Sequence, residues 1–281
     1  MTEKKPKVFL IDGSSYIYRA FFAIAHLSNS KGFPTNAIYG FTNMLLKILR
    51  EKEAEYAAIA FDAPGPTFRH EAFGEYKANR PSMPEDLRVQ VPHIKEVVSA
   101  LRVPVLEKEG YEADDLIATL ARRLEREGIE TVVVSGDKDL MQLISSRITM
   151  YDPMKDKTFQ VPDVKERFGV PPDKVVEVMG LMGDTTDNIP GVPGIGPKTA
   201  SQLIDEFGSI ENLLKNVEKV KSGKVRSSLD RYAEQARLSR ELATLDSEAP
   251  LDWGVEALKL GEPDRKNLQA IFKEMEFAKL F

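Results

Sequence analysis

Acidic residues recur in this chain at the ends of apolar runs. KVFLID closes on Asp12, AAIAFD closes on Asp62, and TVVVSGDKDL carries Asp137 and Asp139 one residue apart behind three valines. GYEADDL adds Glu112, Asp114 and Asp115, and GLMGDTTDNIPG adds Asp184 and Asp187. Carboxylates crowded into one cleft repel one another, so the cluster holds only with raised pKa values or a bound cation. With hard oxygen donors and no histidine or cysteine among them, the cation expected is Mg2+ or Mn2+ rather than zinc.

The elements that must carry these acids follow from the hydrophobic pattern. Short apolar runs bounded by glycine and aspartate read as strands buried on both faces. They alternate with helical segments, so the expected fold is α/β: a twisted, mostly parallel sheet with helices on both faces. The carboxyl ends of parallel strands lie along one edge, where open α/β sheets place ligands. A helical pattern through Tyr16, Ala20 and Ile24 contains Arg19, either a surface arginine or a phosphate contact. Asn36–Glu51 and a segment from Glu85 to Leu101 read as helices, and ITMYD as a further strand. Leu116, Leu120 and Leu124 mark a helix ended by Gly128, so Glu112, Asp114 and Asp115 sit around its first turn. Acids there can serve the helix dipole alone, but three in four residues exceed what capping needs.

Between Ala63 and Pro92 the periodicity fades and five prolines intervene, an irregular insertion holding Lys77 and Arg80 three apart. It is either a solvated charged loop or a segment that presents cations to a phosphate. Near residues 184–207, GVPGIGPKTA supplies glycines at 191, 194 and 196, with Pro197 set to open a helix. Glycine amides aimed at a helix start make an anion site, although an ordinary tight turn is the plainer reading. The tail from Lys215 to Arg240 is the most basic stretch, each cation by itself readable as a solvated surface. The terminal FKEMEFAKLF reads as core of a last helix.

The formal charge of -5 over 281 residues gives no whole-chain sign of nucleic-acid binding, so that case rests on where the charges sit. There is no cysteine, hence no disulfide or thiolate chemistry, and the apolar part of the N-terminus is too short for a signal peptide or membrane span. These features fit a cytoplasmic protein without membrane contact. Two regions are expected, an α/β region over 1–180 with the insertion at about 63–92, and a helical region over 181–281.

In the order LIDGSSYIYRAFFA, AFDAPGPTFRHE, YKANRP, GYEADDLIATLA, VVSGDKDLMQL and GLMGDTTDNIPGVPGIGPKTA, the sequence resembles the 5′ nuclease domain of bacterial DNA polymerase I, in the flap endonuclease family. The resemblance spans nearly the whole chain. It implies a PIN-like sheet, an arch that admits single-stranded DNA, and a helix-hairpin-helix that grips duplex. Carried over by position, metal ligands and near ligands fall on Asp12, Asp62, Glu112, Asp114, Asp115, Asp137, Asp139, Asp184 and Asp187. Tyr76, Lys77, Arg80 and Glu112 fall on catalytic positions. Arg19, Lys77, Arg80, Gly194, Gly196, Lys198 and Thr199 fall on DNA contacts. One departure is Pro197, a position acidic in many members.

The function implied is 5′-3′ exonuclease and flap endonuclease action on DNA with a 5′ flap, nick or single-strand/duplex junction. It would use two or more Mg2+ or Mn2+ ions, admit a K+ at the helix-hairpin-helix, and leave 5′-phosphate and 3′-hydroxyl. The implied setting is Okazaki primer removal and repair at the bacterial nucleoid, as a monomer, with a DNA polymerase attached or separate. The alternatives are a metal-dependent ribonuclease and a DNA-junction binding module without catalysis.

Overall fold

Strand β1 (Lys7–Asp12) alternates Val8 and Leu10 toward one layer with Phe9 and Ile11 toward the other, and all four are buried. A strand buried on both faces needs a helical layer on each side. The structure is a computed structural model describing residues 6–280; residues 1–5 and Phe281, at the two ends of the terminal readings above, lie outside it.

After β1 come α1 (Gly13–Ala23), α2 (Asn36–Glu51), β2 (Tyr56–Ala60), α3 (Phe68–Ala72), α4 (Glu85–Arg88), α5 (Val91–Ala100), β3 (Val105–Leu106), α6 (Ala113–Arg126) and β4 (Glu130–Val134). The chain continues through β5 (Ile148–Asp152), β6 (Lys157–Phe159), α7 (Val161–Phe168), α8 (Val175–Met182), α9 (Pro197–Phe207), α10 (Ile210–Lys215), α11 (Gly223–Arg231), α12 (Ala233–Ala243) and α13 (Arg265–Glu274). The sheet order is β3-β2-β1-β4-β5-β6; all neighbours are parallel except β6, which returns antiparallel on β5. Because the strand order reverses between β1 and β4, their outgoing loops diverge and leave a crevice at the carboxyl edge.

Helices α2, α5 and α13 bury Ile38, Phe41, Leu45, Ile94, Val97, Ile271 and Phe272 against one face. Helix α6 and helices α7 to α12 cover the other through Leu116, Leu120, Leu124, Val178 and Ile204. The segment expected as one helix from Glu85 to Leu101 is two, α4 and α5, with Val89 and Gln90 between them. Pro92 accounts for the break: it lacks an amide to donate and seeds the first turn of a new helix. The polar stretch after ITMYD also holds a strand and a helix, β6 and α7, too short to announce themselves by periodicity. Helix α13 returns to pack on α5, and Phe272 and Phe277 are buried there. Among the described residues no helix is long and apolar enough to cross a membrane.

Candidate active site

Asp12 ends β1 and caps α1: Ser15 N donates to its Oδ1 at 2.9 Å, and Ser135 Oγ donates to its Oδ2 at 2.7 Å. Ser135 follows β4, and its hydroxyl also accepts from Asp137 N at 3.0 Å, so one serine fixes an acid from each strand beside the crevice. Asp62 follows β2 and accepts from Ala113 N at 2.8 Å, which ties it to the first turn of α6, while its own amide donates to Ser14 Oγ at 2.8 Å. Strand β2 ends at Ala60 and β4 at Val134, so of Asp12, Asp62, Asp137 and Asp139, the four acids expected at strand ends, Asp12 alone is itself in a strand.

These loops enclose a cleft of about 260 Å3 lined by Asp12, Asp62, Glu112, Asp114, Asp137 and Asp187, with Arg19, Lys77 and Arg80 on the same walls. Burial, then Asp137 and Asp62, push Asp12 up to about 6 against the pull of its serine hydrogen bonds. Burial and the charges of Asp12, Asp137 and Asp62 raise Asp114 well above the usual carboxylate range despite Lys77 nearby. Asp139 is pushed up to about 7 by burial, Asp137, Asp184 and Asp187, and its Oδ1 is buried without a hydrogen bond.

Such an arrangement carries more negative charge than its own cations neutralise, which fits a bound cation. Among the described residues no three acid, histidine or cysteine side chains close around one point. The acids that line the cleft offer carboxylate oxygens, a set that suits a hard divalent cation.

The cationic wall is built by two turns far apart in sequence. Lys77 N donates to Asp187 O at 2.9 Å, Asn79 Nδ2 to Thr185 O at 2.7 Å, and Asn188 Nδ2 to Glu75 O at 2.6 Å. Fastened in this way, Lys77 Nζ donates to Glu112 Oε1 at 2.7 Å and stands 3.8 Å from Asp187, while Arg80 pairs with Asp187. Burial works against both cations, but Glu112 and Asp187 outweigh it for Lys77, and Asp187 for Arg80, so both stay protonated. Asp184 and Asp187, three apart in one turn, face different neighbours: Asp184 accepts from Lys138. Burial opposes the ionised form of Asp184, yet the hydrogen bond from Lys138 keeps its pKa below the usual range.

Beyond the cleft, Asp184 and Ile189 bridge the neck of the glycine hairpin between α8 and α9. Gly183 and Gly191 both have positive φ, and a side-chain carbon on Gly191 would lie 2.4 Å from Gly183 N, so the neck closes only without side chains. Gly194 and Gly196 instead face open space ahead of Lys198 and Thr199 on the first turn of α9.

The sequence matches two family descriptions end to end, "5'-3' exonuclease, N-terminal resolvase-like domain" over residues 7–169 and "5'-3' exonuclease, C-terminal SAM fold" over residues 170–266. It is 41% identical to a 5'-3' exonuclease of Aquifex aeolicus over 97% of this chain and 93% of that protein. This chain belongs to the 5'-3' exonuclease family. It is also 47% identical to DNA polymerase I of Bacillus caldotenax over 97% of this chain, but spans only 32% of that protein's length. In fold it matches T5 5'-exonuclease bound to zinc, with a TM-score of 0.74 at 20% identity over 96% of this chain and 98% of the other. The catalytic core of Rad2 in complex with DNA substrate matches with a TM-score of 0.66 at 18% identity over 97% and 89%.

Of the residues that the family resemblance put in the chemistry, Asp115, Tyr76, Asp139 and Asp184 do not line the cleft. Asp115, expected as a metal ligand, is fully buried behind the cleft. Arg69 donates to both of its oxygens at 2.7 and 2.8 Å, and Asp246 N and Glu112 N donate at 2.9 and 3.1 Å. Four donors meet the four lone-pair directions of that carboxylate. Tyr76, expected as catalytic, is 3% exposed and sets its hydroxyl 3.1 Å from Glu112 and 3.4 Å from Asp187. Burial keeps that phenol neutral, so it braces two acids and lies outside the cleft lining. The basic tail is partly neutralised too: Arg237 pairs with Glu211 and Glu234, and Arg240 with Glu177 and Glu211.

Arg69, Ser14, Ser135 and Lys138 were not singled out from the sequence as site residues, although each lies within or beside a family motif. The sequence signal available was position: each stands within two residues of a site acid or in the run following Asp62. Arg69, 1% exposed, also donates to the carbonyls of Leu242 and Thr244 and so pins α3 to the end of α12.

Proposed function

We propose that this chain is a structure-specific 5′ nuclease, a 5′-3′ exonuclease and flap endonuclease that hydrolyses DNA phosphodiesters to 5′-phosphate and 3′-hydroxyl. The observation that carries this reading is the cleft in which Asp12, Asp62, Asp114 and Asp137 meet beside Lys77, Arg80 and Arg19. Such a site presents anions for divalent ions and cations for a phosphate within one cavity. The family membership supports the same conclusion.

In the proposal Asp12, Asp62, Asp114 and Asp137 would hold Mg2+ or Mn2+, with Asp139 and Asp184, both beside Lys138, completing the acid set. Divalent ions held by these residues would acidify a water and offset charge on the phosphate. Glu112 acts through Lys77, holding its ammonium at the cleft wall, and Asp187 does the same for Arg80. Both cations then face charge that grows on the phosphate oxygens as the bond breaks. Arg19 contacts the phosphate backbone from α1.

The substrate proposed is DNA with a 5′ flap, nick or single-strand/duplex junction. Gly194 and Gly196 let a backbone approach, and Lys198 and Thr199 meet its phosphates on α9, with a K+ ion as a further partner of the hairpin. The nuclease region covers about residues 1–180 and the helical region 181–281, with α13 packed back on α5. A monomer working on the bacterial nucleoid beside a DNA polymerase, attached or separate, completes the reading.

The test is to incubate the chain with a labelled 5′-flapped duplex and Mg2+, with and without chelator, alongside a matched RNA flap. Cutting near the junction that stops with chelator supports the reading. Preference for RNA, or binding without any cut, overturns it.

A further inference from the structure

Lys138 stands between two environments of opposite sign. Its ammonium pairs with Asp184 Oδ2 and lies 3.8 Å from Asp139 Oδ1, so it is the counter-charge of that acid pair. The same residue lines a groove of about 280 Å3 that runs past Arg167 to Lys198 and Ser201 on the first turns of α9. Among the described residues no carboxylate lines this groove. One wall is closed tightly: a side-chain carbon on Gly169 would fall 2.0 Å from Ser201 Oγ. Three cations and a hydroxyl around one concavity, at the amino end of an 11-residue helix, suit a phosphodiester oxygen.

We propose that this groove takes a backbone phosphate of the duplex beside the cut, and that Lys138 couples its filling to divalent-ion occupancy at Asp139 and Asp184. The proposal rests on the nuclease reading, in which Lys198 already meets a phosphate, and adds to it Arg167 and a coupling residue. One ammonium serves one environment at a time. Without an ion, Lys138 neutralises Asp139 and Asp184; once an ion does so, the flexible lysine stem is free to join Arg167 and Lys198 at the groove. Linkage then works both ways, so that the ion tightens the duplex and the duplex tightens the ion. Arg167 is the fixed part of the groove, a residue that binds DNA in either condition.

The test measures binding rather than turnover. Affinity for a fluorescent nicked duplex is determined at fixed ionic strength in chelator and in Ca2+, and Ca2+ binding alone is followed by calorimetry. The wild-type chain should bind the duplex about fivefold or more tighter in Ca2+. Lys138→Met should bind Ca2+ more tightly without DNA, yet lose most of the Ca2+-induced gain for the duplex, and Lys138→Arg should keep the gain. Arg167→Ala should weaken the duplex equally in both conditions and lower the salt slope by about one. Unchanged or weaker Ca2+ binding by Lys138→Met with the full wild-type gain overturns the coupling, and unchanged duplex affinity in Arg167→Ala overturns the groove. Either failure, in a chain that still cuts 5′ flaps in Mg2+, leaves the nuclease reading standing; a wild-type chain that cuts no flap brings that reading down instead.

Discussion

The guanidinium of Arg19 lies across Gly136: a side-chain carbon built on that glycine would meet its nitrogens at 1.9 and 2.1 Å. Fully buried Asp152, at the end of β5, accepts from Arg19 Nη1 at 3.2 Å and holds it in this slot. Gly136→Ala should therefore evict the guanidinium while leaving the fold intact, since the clash is with the far end of a flexible side chain. The expected result is weaker DNA binding, close to that of Arg19→Ala, with the double variant no worse than either single one. A Gly136→Ala chain with wild-type affinity, or losses that add, would show that the slot does not position Arg19.

Lys77→Ala should slow turnover at saturating substrate by roughly 100-fold, the scale on which pre-aimed charge-stabilising donors act. Glu112 keeps Arg69 and Tyr76 as partners, so thermal stability should change little. Single-turnover kinetics on a flapped duplex give the answer, and an unchanged rate removes Lys77 from the chemistry.

Asp115→Ala should unfold the chain more easily without weakening its grip on metal. Removing one member of a buried, hydrogen-bonded ion pair costs about 3–5 kcal/mol, here a fall in Tm on the order of 10 °C. Calorimetry with Mn2+ on the folded variant should give the wild-type affinity. Weak Mn2+ binding in a stable variant would return Asp115 to the ligand set.

The acid cluster also sets a pH dependence. Asp12 and Asp139 have folded pKa values of about 6 and about 7, above the ordinary carboxylate value, so the folded state binds protons more tightly than the unfolded one. Their contribution to stability is complete below the unfolded pKa and is lost as pH rises through 6 and 7. The metal-free chain should thus show a Tm that falls between about pH 5 and pH 8, and Asp12→Asn should flatten the slope. Saturating Mg2+ should raise Tm most at the alkaline end. A metal-free Tm that climbs across this range would contradict the raised values.

The sequence by itself determined β1, β2, β4 and β5, the acids near their ends and the glycine hairpin, because these depend on local patterns: buried runs of Val, Ile and Ala, a period of 3.6 in α2 and α6, and glycines where φ must be positive. A parallel sheet then had to bring Asp12, Asp62 and Asp137 to one edge. Only the tertiary structure decided which carboxylates face the cleft. Asp114 and Asp115 are chemically the same and adjacent, yet α6 turns about 100° per residue, so one borders the cleft and the other meets Arg69, 46 positions earlier in the chain. The zipping of residues 75–79 onto 185–188, the return of α13 to α5, and the pairing of Lys138 with Asp184 have the same character. Each joins groups whose local surroundings carry no mark of the partner, and folding brings them together because a buried charge or amide left alone would cost more than the pairing.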